Sequence, residues 1–321
     1  MAHALERDLL HVLERTESLW DALAGANVFI TGGTGFVGSW LLESFVWADT
    51  HLNLHARIFV LTRNPAKFRA DRPHLAREAC MHILHGDLET FPFPAEEFHY
   101  VIHAAAESGS TQRILEMAKT SGTRRLLYTS SGAVFGDQPA DVEKVDEEFV
   151  SPVECCTPYG RAKRETETLC VRAADAGLGV VIGRLFAFVG PYLPLDKNFA
   201  VGNFVRDARM GGPIEVKGDG TPLRSYLYAA DLAIWLWTLL IEGVPGRTYN
   251  VGSDQAISIL DLARTVESVC GVERGIRVAS KPTMGVKPKR YVPSIARARA
   301  ELRLEPWIGL EEGIRRMFNF P

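Results

Sequence analysis

Cysteine is scarce in this chain, and its placement excludes more than its number does. The five residues, Cys80, Cys155, Cys156, Cys170 and Cys270, show no CxxC spacing. The adjacent Cys155–Cys156 pair cannot build a tetrahedral zinc site on its own, so no metal is expected. Free thiols in a reducing cytosol are the simplest reading, and the chain is expected to be cytoplasmic. An excess of charge is lacking too: the formal net charge is −3 over 321 residues. A nucleic-acid or membrane-surface binder needs a positive excess to neutralise phosphates, so neither partner is expected. No hydrophobic run is long enough to span a bilayer. The longest, Ala229 to Ile241, contains Asp231 and reads as a buried core helix. A signal-peptide pattern is absent, because Glu6, Arg7, Asp8, Glu14, Arg15 and Glu17 interrupt any apolar run near the start. Internal repeats and low-complexity tracts are lacking. What remains is an ordinary globular composition, 46% hydrophobic and 23% charged, in a chain long enough for two lobes.

Short apolar runs alternate with helix-like segments through the first half. Val28–Thr31, Ile58–Leu61, Met81–His85, Tyr100–His103, Leu126–Ser130 and Val180–Leu185 read as strands buried on both faces. Phe36–Trp47, Thr111–Thr120 and Tyr159–Ala176 read as helices between them. Such alternation predicts an α/β doubly wound parallel sheet, a Rossmann domain over residues 26–190. Ahead of it, Leu5, Leu9, Val12, Leu13, Leu19, Trp20 and Leu23 recur at helical spacing, so residues 1–25 read as an N-terminal amphipathic helix. After Gly190, glycine and proline break the chain into short pieces. Residues 191–321 are expected to form mainly a smaller substrate-binding lobe, with helices at Ala230–Ile241, Ile259–Cys270 (N-cap Ser258) and Leu310–Phe318.

Gly32, Thr34, Gly35, Phe36, Val37 and Gly38 lie on a G-x-x-G-x-x-G turn that leaves the first strand and opens a helix. Glycine permits the tight turn and close backbone approach to a pyrophosphate, and the helix N-terminus supplies free N–H groups. An NAD(P) cofactor is therefore expected. At the end of the second strand Thr62–Arg63–Asn64 offers no carboxylate for the ribose of NAD. Arg63 leans the reading toward NADP, unless it is simply a solvated loop residue. Asp87, with Leu88 beside it, is a candidate for the adenine, or else part of a Gly–Asp turn.

Tyr159 and Lys163 stand at i and i+4, on one helical face. A cation beside a phenol lowers its pKa toward the working range and makes it a usable acid or base. A hydroxyl from Ser130 or Ser131 completes the group. These motifs, with Thr31–Gly38, Gly86–Asp87, His103–Ala106, Ser130–Gly136 and Gly190–Pro191, resemble those of the extended short-chain dehydrogenases/reductases. More narrowly, the chain resembles the NAD-dependent epimerase/dehydratase family, whose members act on nucleotide sugars. The resemblance runs from about Asn27 to Phe318. It implies Ser131, Tyr159 and Lys163 as catalytic residues, Lys163 also holding the nicotinamide ribose. It further implies cofactor contacts at His103, Ala104 and Ala105, and a homodimer. In the second lobe it places Arg224 on the substrate diphosphate, with Arg290 as a further phosphate contact; Tyr226, in an aromatic cluster with Tyr228, Trp235 and Trp237, reads as lobe packing or as a contact to a base or sugar. Each arginine has the alternative of a surface salt bridge.

Three positions depart from the family pattern. Gly132 and Ala133 follow Ser131 where dehydratases carry acidic residues and decarboxylases usually keep a glutamate. Ala187 stands at the substrate-contacting position that is usually asparagine. Only Glu107, Ser108, Gly109 and Ser110 separate His103–Ala106 from the helix at Thr111, where the family has a longer passage. An open site, a missing segment and lost catalysis are the three readings of that short connection.

The leading expectation is a nucleotide-sugar epimerase or keto-reductase, its substrate a nucleotide diphosphate sugar. A dehydratase or decarboxylase of the same family comes second, and reduction of a non-sugar carbonyl compound third. From another class, a non-catalytic NAD(P)-binding sensor or scaffold competes.

Overall fold

The computed structural model describes residues 3–105, 110–272 and 275–321. The chain divides into two compact units. The first comprises Met1–Val134, Pro158–Arg184 and Ala233–Tyr249; the second comprises Phe135–Thr157, Leu185–Leu232 and Asn250–Pro321.

The first unit is built on β1 (Asn27–Thr31), β2 (Arg57–Thr62), β3 (Met81–His85), β4 (Tyr100–His103), β5 (Arg125–Ser131) and β6 (Gly179–Leu185). With the edge strand Thr248–Val251 they make a seven-stranded sheet in the order edge–β6–β5–β4–β1–β2–β3. The pairs β1–β2, β2–β3, β1–β4 and β4–β5 are parallel. The chain winds outward from β1 to β3 and then crosses back to β4. This reversal opens a crevice at the carboxyl ends of β1 and β4, where open α/β sheets bind their ligands. The doubly wound sheet read from the apolar runs is therefore present. Every residue of β1 is buried, as is every residue of β4, which explains the unbroken hydrophobicity of both.

The helices begin with α1 (Glu6–Thr16), α2 (Phe36–Leu52), α3 (Pro65–Asp71), α4 (Pro73–Ala76), α5 (Thr111–Thr120) and α6 (Pro158–Asp175). The N-terminal helix is shorter than its pattern suggested, for Glu17–Leu23 tightens into a 3-10 helix. Thr16 Oγ1 donates to Val12 O at 2.6 Å and accepts from Trp20 Nε1 at 2.9 Å. Such a local hydroxyl bond competes with continuation of the α-helix. Trp20 then packs on Trp237, with ring centroids 5.1 Å apart.

In the second unit α7 (Ala200–Arg209) goes beyond the expected elements, since Gly202 had marked it as loop. That glycine lets the helix lie against the backbone, because a Cβ there would sit 2.5 Å from Pro194 O. After α8 (Ala229–Glu242), α9 (Ile259–Cys270) starts at the expected cap, with Ser258 Oγ accepting from Asp261 N at 3.0 Å. The last helices are α10 (Ala296–Leu302) and α11 (Leu310–Asn319). A three-stranded sheet places Leu223–Arg224 between Ile257–Ser258 and Arg290–Tyr291. Among the described residues no helix is long and apolar enough to cross a membrane.

Candidate active site

The glycine turn is shaped by contacts that exclude any side chain. Gly32 has φ +72°, and a Cβ on it would lie 2.5 Å from the carbonyl of Ala104, just beyond β4. A Cβ on Gly38 would lie 2.3 Å from Gly32 O and 2.4 Å from Gly33 Cα, so the first turn of α2 rests directly on the loop. Gly35 occupies the N-cap position and offers no side-chain acceptor to the first N–H groups of α2. Close backbone approach, an uncapped helix N-terminus and its positive dipole end fit a dinucleotide pyrophosphate.

Around this cradle the strand ends are tied together. Thr31 Oγ1 lies 2.7 Å from His103 Nδ1, and His103 Nε2 lies 2.9 Å from Thr111 Oγ1. His103 is fully buried, and burial, aided by the nearby Lys163 charge, pushes its imidazole down to about 3. Burial thus favours the neutral imidazole. Ala104 and Ala105 turn away from β4 through N–H contacts to Thr31 O and Oγ1. Of the short connection singled out in the sequence, Glu107, Ser108 and Gly109 lie outside the described residues, while Ser110 is buried at the start of α5. Asp87 uses one carboxylate oxygen to accept from Glu89 N at 2.9 Å, so it does form a turn; Leu88 beside it is buried. Arg63 is exposed after β2.

The serine pair at the end of β5 is sorted by strand alternation, which sends successive side chains to opposite faces. Ser131 favours the ionised Tyr159 phenol, and Ser131 Oγ accepts from Ala133 N at 3.2 Å, whereas Ser130 Oγ donates to Glu167 Oε1 at 2.5 Å. Tyr159, in the first turn of α6, is 47% exposed and open to a ligand. Lys163, one turn later, is 2% exposed and donates to Thr129 O at 3.1 Å. Its Nζ is 4.9 Å from the Tyr128 ring centroid and 5.8 Å from that of Tyr159. Burial lowers the Lys163 ammonium to about 8, while Cys170 and Glu167 hold it up.

One electrostatic expectation is overturned. The Tyr159 phenol sits above its ordinary range, not below it, because partial burial outweighs the Ser131 hydrogen bond. The i,i+4 spacing brings Lys163 to the right face, but its ammonium is turned inward onto Thr129 O. Sequence reading also missed Glu167 and Arg184. Arg184 Nη2 lies 2.8 Å from Glu167 Oε2, its Nε 3.0 Å from Oε1, and both side chains are largely buried. The signal was available, since Glu167 continues the Tyr159–Lys163 spacing by one more turn.

Within the second unit, Arg224 Nη1 donates to Leu223 O at 2.9 Å, and its guanidinium lies 5.7 Å from the Tyr291 ring centroid. Arg290 pairs in register with Leu223 on the adjoining strand. Among the described residues neither arginine makes an ion pair. Tyr226 is only 8% exposed, and Ala187 is half-buried, its carbonyl accepting from Leu227 N at 3.0 Å.

Comparison with known proteins now adds to the geometry. The model of the "NAD dependent epimerase/dehydratase family" matches residues 28–252. UDP-glucuronic acid decarboxylase 1 of Arabidopsis thaliana is 30% identical over 309 residues, covering 91% of this chain and 69% of the relative. The chain belongs to the NAD-dependent epimerase/dehydratase family. UDP-glucuronic acid decarboxylase 1 of Xenopus tropicalis is 27% identical, with coverage of 92% and 72%. The fold matches dTDP-glucose 4,6-dehydratase from Bacillus anthracis in complex with NAD, with TM-score 0.78 and 19% identity, over 92% of this chain and 96% of that one. It equally matches UDP-glucose 4-epimerase from Thermotoga maritima with UDP-glucose, with TM-score 0.77 and 21% identity, over 92% and 98%. The relatives modify nucleotide sugars, and NAD is the cofactor named in the neighbouring complexes. The lean to NADP drawn from Arg63 finds no support among them.

Proposed function

We propose that this chain moves hydride at a sugar carbon of a nucleotide diphosphate sugar, either oxidising a hydroxyl-bearing carbon with NAD and re-reducing it to give an epimer, or reducing a keto-sugar at the expense of NADH. The observation that carries this reading is the half-exposed Tyr159 with the Lys163 Nζ 5.8 Å from its ring centroid, in the same unit as a glycine cradle shaped for a pyrophosphate. Gly32, Thr34, Gly35, Phe36, Val37 and Gly38 would hold the pyrophosphate, Asp87 and Leu88 the adenosine, and His103, Ala104 and Ala105 the wall beyond β4. When bound, the nicotinamide supplies reversible hydride transfer at the sugar carbon. Tyr159 removes and returns the hydroxyl proton, and Ser131 orients it. Lys163, one turn along α6, donates its ammonium to Thr129 O and would hold the nicotinamide ribose. Arg224 offers paired permanent donors to the diphosphate, with Arg290 on the next strand and Tyr226 as further substrate contacts.

A second reading, decarboxylation, is favoured by the names of the sequence relatives. Oxidation at the carbon β to a carboxylate makes a β-keto acid. That acid loses CO2 without a dedicated carboxylate base, so Ala133 does not forbid this outcome. Dehydration needs an acid and a base placed across two carbons, and Gly132–Ala133 supplies neither.

Purified protein incubated with NAD and a panel of UDP-, dTDP-, GDP- and CDP-sugars, UDP-glucuronic acid included, and separately with NADH and the corresponding keto-sugars, tests these readings by product NMR. An epimer or reduced sugar supports the first, and a UDP-pentose with CO2 the second. Tyr159→Phe is expected to cut either rate by about 10²–10⁴-fold. Cofactor binding with no turnover of any sugar would sink the enzyme reading and leave a sensor or scaffold.

A further inference from the structure

Three side chains remote from the glycine cradle converge in the first unit. His3 comes from the segment before α1, Glu43 from the middle of α2, and His74 from α4. The Glu43 side chain is 1% exposed, and an imidazole addresses each of its oxygens. His74 Nε2 lies 2.8 Å from Oε1, and His3 Nε2 lies 3.4 Å from Oε2. One donor atom from each residue falls within 4.8 Å of the other two. The His3 and His74 rings meet edge-on at 5.7 Å, and Trp47 stands 5.8 Å from His3. Glu6 adds negative potential at His3.

Two imidazoles and one carboxylate are a recurring three-ligand set for zinc, with the fourth position left to water. Zinc–ligand bonds of about 2.0–2.2 Å put tetrahedral donors roughly 3.4 Å apart. The cluster must therefore contract by about 1 Å at its widest. His74 and His3 have room to swing inward, their side chains being 44% and 31% exposed while Glu43 stays fixed. A buried carboxylate needs a compensating charge, and a divalent ion supplies it more completely than two shared protons. Sequence spacing gave no hint of this set, because its members stand 31 or more residues apart and one lies before the stretch the family model matches.

We propose that His3, Glu43 and His74 bind a divalent transition cation, zinc being the best match to the donors, and that the ion fastens the N-terminal segment to α2 and α4. The role is structural: Glu43 lies about one and a half turns along α2 from Gly38, and the cluster needs no sugar or cofactor.

Tag-free full-length protein, stripped with EDTA, is titrated with ZnCl2, CoCl2 and MgCl2 at neutral pH. Binding of one zinc per chain, a rise in Tm and visible cobalt bands of four-coordinate type are expected, with no response to magnesium. His3→Ala and His74→Ala, both at accessible positions, should fold and lose the zinc response. Glu43→Gln should lose it too. An unchanged Tm with zinc, or zinc binding retained in the His3→Ala/His74→Ala double variant, overturns the proposal and leaves a proton-bridged His–Glu–His cluster. Neither result depends on sugar turnover, so the site stands or falls separately from the proposed reaction.

Discussion

Ser130 Oγ donates a 2.5 Å hydrogen bond to Glu167 Oε1, and the same carboxylate takes Nε and Nη2 of Arg184. This contact locks the end of β5 to α6 directly behind Ser131 and Lys163. Removing one partner of a largely buried pair leaves an uncompensated charge, at a cost of about 3–5 kcal/mol. Glu167→Ala is expected to lower the unfolding free energy by about 3 kcal/mol in urea titration, and Glu167→Ala/Arg184→Met to recover part of that loss. A loss below about 1 kcal/mol would mean that solvent screens the pair.

The pH response of Lys163 follows from its burial. Its folded pKa of about 8 lies below the ordinary lysine value of about 10.4. Between these values the unfolded chain binds more protons, so stability rises with pH across that window. Below pH 8 the cost of the buried ammonium is present in full. Function runs the other way, because the cation itself disappears above about pH 8. Turnover and NADH affinity should fall there, and Glu167→Gln, which removes a supporting negative charge, should move the alkaline limb to lower pH. An unmoved limb would show that Lys163 does not sense Glu167.

Gly38→Ala tests the cradle. Its new Cβ would meet backbone atoms 2.3 and 2.4 Å away, and backbone cannot yield as a side chain can. Overpacking of this kind costs about 1–3 kcal/mol. The variant is expected to lose stability in that range and to bind NADH far more weakly, read by nicotinamide fluorescence. Normal affinity would mean that the turn adapts without touching the pyrophosphate.

Much of this was legible beforehand, for identifiable reasons. Strands buried on both faces read as apolar runs, and β3, β4, α5 and α9 fall where the pattern put them. The Thr248–Val251 edge strand did not, because Thr248 and Asn250 break its run and only pairing with β6 defines it. Gly202 hid α7, since a residue that ends many helices here serves close packing. At the site, spacing put Tyr159 and Lys163 on one face of α6 but did not give the direction of the ammonium. Which serine meets Tyr159 depended on the face each takes at the end of β5. The Glu167–Arg184 pair joins a helix to a strand, and only the fold brings it together.

His103 carries an acid signature. Its folded pKa of about 3 lies below the unfolded value of about 6.5, so the unfolded chain binds the extra proton between them. Stability should therefore fall as pH drops from 6.5 toward 3, by up to about 1.4 kcal/mol per pH unit from this group. His103→Gln keeps hydrogen-bonding capacity without titrating. It should be less stable at pH 7 yet lose less on acidification. Parallel wild-type and variant slopes in pH-dependent urea melts would remove His103 as the cause.

Cofactor choice rests on the end of β2. No carboxylate follows Thr62, so nothing in that stretch repels a 2′-phosphate, and Arg63 is exposed there. The family and its neighbours point to NAD, and NAD is expected to support binding at least as well as NADP. Arg63 then decides only how well the second cofactor is tolerated. A charge-assisted hydrogen bond is worth about 1.5–3 kcal/mol, or roughly tenfold to a hundredfold in affinity. Arg63→Ala is expected to weaken NADPH by about tenfold while NADH stays within about twofold, measured by fluorescence titration of both. An unchanged NADPH/NADH ratio would return Arg63 to the status of a solvated loop residue. A wild-type preference for NADPH would instead set this chain apart from the NAD complexes it resembles.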